Sequence, residues 1–552
     1  MLRPVPIGPV PDDTARVARA AFPKGHPYLS LTDALGTLFT DIQFAPLFPT
    51  HGQPALAPWR LVLVSILQFA EGLSDRQAAA AVRSRIDWKY VLRLELSDAG
   101  FDASVLSEFR TRLRRGDPEQ LLLDTLLDWC RDHQLLNARG QQRTDSTHVL
   151  AAVRALNRLA VVWEVMRHAL ESLAVVAPAW LAALAPAAWS ERYTRRADEA
   201  RLPATQAARM ELARLIGADG DALLEAVTAA DAPPWLREVP ALDLLRRVWL
   251  QNFAVQDERL QWRTEILGLP PAVHFISSPY DPEAHLATKR STHWVGYKLH
   301  LTETCDDDLP SLITHVETSA APVADGEATP RVHAALAARE LLPDVHIVDT
   351  GYLDAALLVS SRTDFHVDLL GPTRADYHWQ AREATGFAAE HFRINWERQT
   401  AICPAGHSSL SWTPAIDKRT NAVIKIKFST NDCGPCPSRM LCTRSTKQSP
   451  RRTVTVRRED EYKALQAARE RAHTADFVQT YAKRAGIEGT LSRAVRRTRL
   501  RRTRYIGAAR VHLGHLLGAA ALNFLRLGEW LTEAPHAKTR HSPFARLMAT
   551  AA

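Results

Sequence analysis

The sequence predicts an α/β multidomain protein in which an all-helical N-terminal domain precedes a mixed sheet flanked by helices, with a large helical insertion and a small cysteine-rich insertion. Three observations predict it. Apolar residues recur at three- and four-residue spacing between Ala45 and Leu136, the period of an amphipathic helix. Four later runs have strand character with one helix-like segment among them. A chain of 552 residues is also too long for one hydrophobic core, so two to four domains are expected.

Composition narrows the function. Apolar residues make up 46% and charged residues 24%, the proportions of a globular chain rather than a disordered one. Lys and Arg exceed Asp and Glu by 69 − 61 = 8, and the sequence pI is near 9.2, which favours a polyanionic partner. The excess is concentrated late. Between Lys483 and Arg510 stand ten Lys or Arg residues and a single acid, Glu488. The opening MLRPVPIGPVPDDTAR has no apolar core of the kind a signal peptide needs, so a cytoplasmic location is expected. The longest uncharged run, Ser172 to Ser190, is broken by Pro178 and Pro186; it predicts a buried helical hairpin and no membrane segment.

Taken in order, residues 1–44 read as a flexible, proline-bearing lead-in. Residues 45–136 read as helices. Ser74 with Gln77 forms a capping-box signature, and Asp102 or Ser104 caps a following helix that carries Arg110, Arg112, Arg114 and Arg115. Short helices with a basic last member fit a helix-turn-helix DNA reader, and equally a plain bundle with a solvated basic face. The β-like run RTDSTHVLAAV (Arg143 to Val153) displays Asp145 near its start. From about Leu156 to Trp262 the chain is helical, with no visible chemistry.

Strand character returns in HWVGYKLHLTET, SLITHVET, LPDVHIVDTGYLD and DFHVDLLGP, with the helix-like RVHAALAARELL between the second and third. This order sets Asp145 on a first strand and Asp349 at the end of a fourth, side by side in the middle of a mixed sheet. It is the strand order of a ribonuclease-H-like fold. Paired buried carboxylates repel, whereas two divalent cations held by three acids make a phosphoryl-transfer site. Glu488, on a late helix, is the candidate third acid. On its own segment it reads as a solvated ion pair with a neighbouring Arg.

Six cysteines are unevenly placed. Cys130 and Cys305 are isolated and read as buried small hydrophobes. Cys403, Cys433, Cys436 and Cys442 lie close together in CPAGH and DCGPCPSRMLC. A Cys-x2-Cys knuckle with two further cysteines suits tetrahedral zinc, with His407 as an alternative ligand and unliganded thiols as the other reading.

The motifs TDSTHV, WVGYKLHLTETCD, VDTGYLDA, GPTRADYHWQARE, CPAGH, CGPCPSRMLC and YAKRAGIEGTLSRAVR together resemble the DDE transposases of bacterial insertion sequences, in the branch with an InsH-type N-terminal domain and a four-cysteine insertion in the catalytic core. The resemblance runs from about Phe44 to Leu531. It implies Asp145, Asp349 and Glu488 as the catalytic acids and ligands of two Mg2+ or Mn2+ ions. It implies cleavage at terminal inverted repeats, joining of the 3′-OH to target DNA, and a homodimer on the paired ends. The implied division is a catalytic core of 137–155, 268–380 and 475–532, a helical insertion of 156–267, a cysteine-rich insertion of 381–474 and a tail of 533–552. Relatives carry Tyr-x2-Arg-x3-Glu-x6-Lys around the last acid. Tyr481, Arg484 and Glu488 match, but Val495 stands at the final position, with Arg496 one place on.

Tyr481, Arg484 and Arg496 are accordingly expected to touch DNA backbone, with Lys298, Arg110 and Arg112 as further contacts. Trp379 is either a stacking surface for an extruded base or a loop anchor. Lys289 and Arg290 read as DNA contacts or a solvated strand edge, Arg374 as a weak phosphate ligand, Asp354 as a helix cap, and His148 as a metal neighbour or a buried hydrogen-bonded His. Glu303 and Glu317 compete with Glu488 by position in the sheet and lack its flanking motif. Two other functions stay open: a DNA-binding protein that has lost catalysis, and a structure-specific nuclease on the same fold.

Overall fold

The architecture comes from a computed structural model that describes residues 1–533 other than 116–118, 155, 198, 200, 201, 258, 384, 447 and 449, together with 544 and 547. Most of the expected tail, 533–552, lies outside the described residues. The stretch expected to be a flexible lead-in is helical: α1 (Asp12–Ala21), α2 (Pro27–Leu35) and α3 (Asp41–Phe44). Its apolar side chains are the reason, since Tyr28, Leu31, Leu35, Phe39 and Phe44 all join the main core. The next helices are α4 (Pro58–Glu71), α5 (Asp75–Ser84), α6 (Ile86–Val91), α7 (Ser104–Leu113) and α8 (Leu121–Asp132). Pro58 starts α4, where its missing N–H costs nothing, and Gly72 ends it in the left-handed region. The Ser74–Gln77 capping box forms at α5, and Asp102 caps the turn into α7 through the Ser104 N–H at 2.8 Å.

Strand β1 (Gln141–Leu150) then leads into a helical block: α9 (Arg158–Val176), α10 (Pro178–Leu184), α11 (Ala187–Tyr193), α12 (Gln206–Thr228) and α13 (Pro240–Asn252), closed by the hairpin β2 (Phe253–Gln256) and β3 (Arg259–Trp262). This block has a core of its own around Trp163, Ile216, Leu245 and Trp249. Gly220 lets α12 approach α13, because a Cβ there would lie 2.0 Å from the Trp249 ring. The segment 172–190 is not a buried hairpin. Both prolines open new helices, no residue of α10 is buried, and Val175 is exposed, because the prolines split the run into pieces too short to bury a continuous face. Among the described residues no helix is long and apolar enough to cross a membrane.

The central sheet follows: β4 (His285–Lys289), β5 (Thr292–Thr304), β6 (Ile313–Ala320), then α14 (Ala328–Ala337), β7 (Val345–Ile347), α15 (Ala355–Phe365) and β8 (Asp368–Leu370). The strand order is β4-β5-β1-β7-β8, with β6 also paired to β5. β5 is antiparallel to β1, whereas β7 is parallel to β1 and β8 to β7. A mixed sheet of this order is consistent with a ribonuclease-H-like core.

A smaller module comes next, with α16 (Trp379–Arg382), the pair β9 (Arg393–Asn395) and β10 (Thr400–Ile402), and the sheet β11 (Ser411–Ile416), β12 (Ala422–Lys427) and β13 (Thr453–Arg457), between whose last two strands lie α17 (Thr430–Cys433) and α18 (Arg439–Cys442). The chain ends in α19 (Glu459–Arg471), α20 (Ala475–Ala482), α21 (Ala485–Thr498) and α22 (Ala508–Leu531). Helix α22 is buried almost all round and packs on β6, α4, α8 and α2. One core therefore runs from the N-terminal helices through α22 into β5 and β6. Asn523 of α22 completes the edge of β6, accepting the Ile313 N–H and donating to the Ile313 carbonyl, each at 2.8 Å.

The C-terminal helices are pinned to the sheet by one buried carboxylate. Glu303 of β5 is 0% exposed. Arg143 of β1 donates to its Oε1 at 2.7 and 2.8 Å, while Arg526 of α22 and the Thr490 hydroxyl of α21 donate to its Oε2 at 2.8 and 2.7 Å. Removing one partner of such a group leaves uncompensated buried charge, at a cost of about 3–5 kcal/mol. Glu303→Gln is expected to lower the unfolding free energy in urea by about that amount; a loss under about 1 kcal/mol would mark the cluster as no stronger than a surface ion pair.

Candidate active site

Two carboxylates meet because two strands run in parallel. Arg143 of β1 lies opposite Ile347 of β7, so Asp145 and Asp349, each two residues further on, emerge side by side. Asp145 stays within β1, while Asp349 stands just past the end of β7 and accepts the Gly351 N–H at 2.7 Å. Helix α21 brings the third acid. It turns Ile487, Thr490, Leu491 and Ala494 inward and leaves Glu488 65% exposed in its first turn.

The three acids share one cation. Arg484, at the N-terminus of α21, sets Nη2 at 2.9 Å from Asp145 Oδ2 and 4.0 Å from Asp349 Oδ2, and Nη1 at 3.1 Å from Glu488 Oε1. The i to i+4 ion pair expected of Glu488 is real, and its arginine reaches on to both aspartates. Arg484 Nε is buried without a hydrogen-bond partner among the described residues. Its pKa is raised against the opposing effect of burial, chiefly by Asp145 and by the Glu488 hydrogen bond. Burial pushes the Asp145 carboxyl above the usual range, and the neighbouring Asp349 adds to this, against the Ser146 N–H and Arg484. Tyr481 lies at the same place, stacked on Phe477 with centroids 5.4 Å apart; burial raises its phenol, as do Asp349, Asp145 and Glu488.

The lock below sets this geometry. Arg143 passes under the start of α21, where it donates to the Lys483 carbonyl. Gly486 leaves room for it, since a Cβ there would fall 2.2 Å from the guanidinium. Beyond α21, the basic segment is stapled to the end of β1: Leu150 N–H donates to the Arg501 carbonyl at 2.8 Å and Thr503 N–H to the Leu150 carbonyl at 3.1 Å. Arg501 Nε also donates to Thr147 Oγ1 at 3.0 Å, so the densest positive charge of the chain borders the strand that carries Asp145.

The other expected site residues have separate places. Lys298 is inside the protein, with Nζ 2.9 Å from Asp325 Oδ1 and 2.6 Å from the Val323 carbonyl. Arg110 is buried and paired with Asp75, because α5 and α7 pack face to face; Arg112 lies over the Phe48 ring at 4.9 Å. Trp379 opens α16 beneath the Arg444 guanidinium, 4.1 Å from its ring centroid. Val495 is two turns along the Glu488 stripe of α21, and the exposed Arg496 stands one residue round from it. Asp354 caps α15 through the Leu357 N–H at 2.9 Å. Glu303 belongs to the buried lock, and Glu317 pairs with Arg331 at 2.9 Å. His148 packs beside Trp294 with centroids 5.5 Å apart; burial, with Arg501 and Lys289, lowers its pKa.

One neighbour was not legible in the sequence. Asp325 receives the Ser146 hydroxyl at 3.2 Å, and a Cβ on Gly351 would lie 3.2 Å from its Oδ2 and 2.9 Å from Asp349 Oδ1, so a fourth carboxylate borders the two aspartates. An acid three residues before a helix reads as a cap, and no spacing distinguishes it from one.

Cys403, Cys433, Cys436 and Cys442 line one small cavity with His407 and Phe392, and all four thiols are free. Burial pushes the Cys442 thiol up to about 11, with the other three cysteines adding to the rise. Among the described residues no group of three or more His, Cys, Asp or Glu side chains stands disposed to hold a metal ion. At the three acids the carboxylates instead face the Arg484 guanidinium. The donor chemistry fits nonetheless: hard carboxylate oxygens suit Mg2+ or Mn2+, and clustered thiols suit zinc.

Residues 402–528 match a family model described as a transposase DDE domain, and residues 16–112 match one described as a transposase domain (DUF772). The first span holds Tyr481, Arg484, Glu488 and three of the helices that carry the lock and site; Asp145 and Asp349 lie outside both. Together the matches support a DDE transposase of the insertion-sequence type. No curated protein and no solved structure matches the chain.

Burial gives Asp145 a testable pH signature. A carboxyl whose folded pKa is raised binds its proton more firmly in the folded chain than in the unfolded one, so stability is full below the ordinary carboxylate range and falls as pH rises through the raised value. Asp145→Asn is therefore expected to raise the melting temperature at neutral pH, with the gain vanishing in acid. An equal gain at both pH values, or a loss at neutral pH, would contradict the assignment.

Proposed function

We infer that this chain is a DDE transposase of a bacterial insertion sequence, which binds terminal inverted repeats, hydrolyses the strand ends and joins the freed 3′-OH to target DNA. The observation that carries this reading is the convergence of Asp145, Asp349 and Glu488 on the Arg484 guanidinium, beside a basic segment stapled to the same strand.

In this reading Asp145, Asp349 and Glu488 hold two Mg2+ or Mn2+ ions, which supply neutralisation of the phosphoryl charge and a more acidic attacking water when bound. Arg484 is the resident cation of the cluster. Its planar fork suits a phosphate as well as a carboxylate, so a DNA phosphate would compete with the acids for it. Tyr481 offers a hydroxyl at the same spot, and Arg496 and Arg501 give salt-dependent backbone contacts. The N-terminal helices are the proposed repeat-binding part, the protein acts as a homodimer on paired ends, and the four cysteines hold a structural zinc.

Cleavage and joining are assayed on linear DNA bearing the inverted repeats that flank the gene, in magnesium. Asp145→Asn, Asp349→Asn and Glu488→Gln are each expected to abolish cleavage with end binding largely kept. Strong residual cleavage by any of them would refute its role. Binding without cleavage by the wild type would favour the catalytically silent DNA binder, and cleavage without joining the nuclease. For the cysteines, protein purified under reducing conditions is expected to carry about one zinc per chain by elemental analysis; a content near zero would remove the zinc.

A further inference from the structure

An unassigned cavity of 460 Å³ lies between the start of α15, the segment after β8, and the β13–α19 side of the cysteine-bearing module. We propose that it is a DNA subsite that takes a single-stranded segment, its phosphates held by Arg374, Arg419 and Arg469 and a base stacked on Tyr377. The proposal rests on the DNA-processing reading above and adds a place for one strand outside the three-acid cluster.

Charge is the first argument. All three guanidinia line the cavity, and among the described residues none of them forms an ion pair or a side-chain hydrogen bond. The carboxylates of the lining are committed to their own turns. Asp354 caps α15, Asp417 accepts the N–H groups of Arg419 and Asn421, and Asp376 accepts the backbone N–H of His378 and pairs with its ring. Arg469 acts on Asp376 only through space. Of the remaining lining arginines, Arg457 pairs with Glu461 at 3.5 Å, and Arg452 donates to the Phe387 carbonyl at 3.3 Å and lies over the Phe392 ring. Uncommitted positive charge thus faces the cavity, which calls for an anion.

The rings say which anion. Tyr377 is 72% exposed and stacks on His378, with centroids 4.5 Å apart and planes 22° apart, presenting a free aromatic face beside the arginines. Phosphate-binding arginines next to a solvent-facing stack are the pairing that single-stranded nucleic acid uses, whereas an acidic peptide would need only the charge. The volume lies within the ~300–1,000 Å³ of small-ligand sites, which gives room for nucleotide units of one strand. Position agrees, because Asp354 on the cavity wall follows Asp349 by five residues.

The test is binding of a fluorescein-labelled single-stranded oligonucleotide of mixed sequence to the purified full-length chain, by anisotropy over a range of salt. The triple variant Arg374→Ala, Arg419→Ala, Arg469→Ala is expected to bind about tenfold or more weakly, with the slope of log K against log salt smaller by about 2, since each single-strand phosphate contact contributes roughly 0.7. Tyr377→Ala is expected to weaken binding with the slope unchanged, and the matching triple Lys variant to recover the slope. These side chains are uncommitted, so thermal melting should be unaltered. Wild-type affinity and slope in the triple Ala variant would overturn the subsite while leaving the transposase reading intact. Failure of the wild type to bind either single strand or duplex would overturn both. Binding of poly-glutamate as tight as that of the oligonucleotide would replace DNA with an acidic protein partner and overturn the assignment.

Discussion

Everything at the candidate active site hangs on the buried carboxylate of Glu303. It ties β5, β1, α21 and α22 at one point through Arg143, Thr490 and Arg526. A charge with no exposure is tolerable only when its partners are held in place, so the cluster fixes α21 in one position along the sheet. Because Arg143 also takes the Lys483 carbonyl, the residue before Arg484 is anchored in the same network. The reach of Arg484 to Asp145 and Asp349 follows from that anchoring.

The two charge clusters have opposite characters. Around Glu303 one acid is shared by two cations in the dry interior; around Arg484 one cation is shared by three acids at a half-open surface. The second arrangement holds three acids against one cation, and burial, with the neighbouring Asp349, raises the Asp145 carboxyl. A site that is electrostatically incomplete at its own centre gains from further cations or from exchange of Arg484 onto a phosphate.

Helix α22 joins the pieces. A 24-residue helix buried nearly all round is a core element rather than a surface one, and it lies against the N-terminal helices on one side and β6 on the other. The small residues along it make the approach close: a Cβ on Gly528 would lie 2.6 Å from Leu31 and one on Gly518 3.0 Å from Leu500. The N-terminal helices and the sheet consequently share one core, while the helical block around Trp249 keeps its own.

Much of this was readable locally. Hydrophobic period and caps carried the helices around Ser74 and Asp102, and strand patterning carried β5, β6 and the placing of Asp145 and Asp349 on neighbouring strands. The lead-in misread because prolines at its start obscured the apolar spacing of Tyr28, Leu31 and Leu35. Lys298, Arg110 and Glu303 each looked like surface or site charges, since a sequence shows a charge but not the partner folded against it. What the sequence determined by itself was the set of elements and the residue types they display, because those follow from periodicity within a few residues. Only the tertiary structure decided which charges meet: Arg484 stands 339 residues from Asp145 and Arg526 223 from Glu303, and Coulomb attraction acts on distance in space, to which separation along the chain gives no guide.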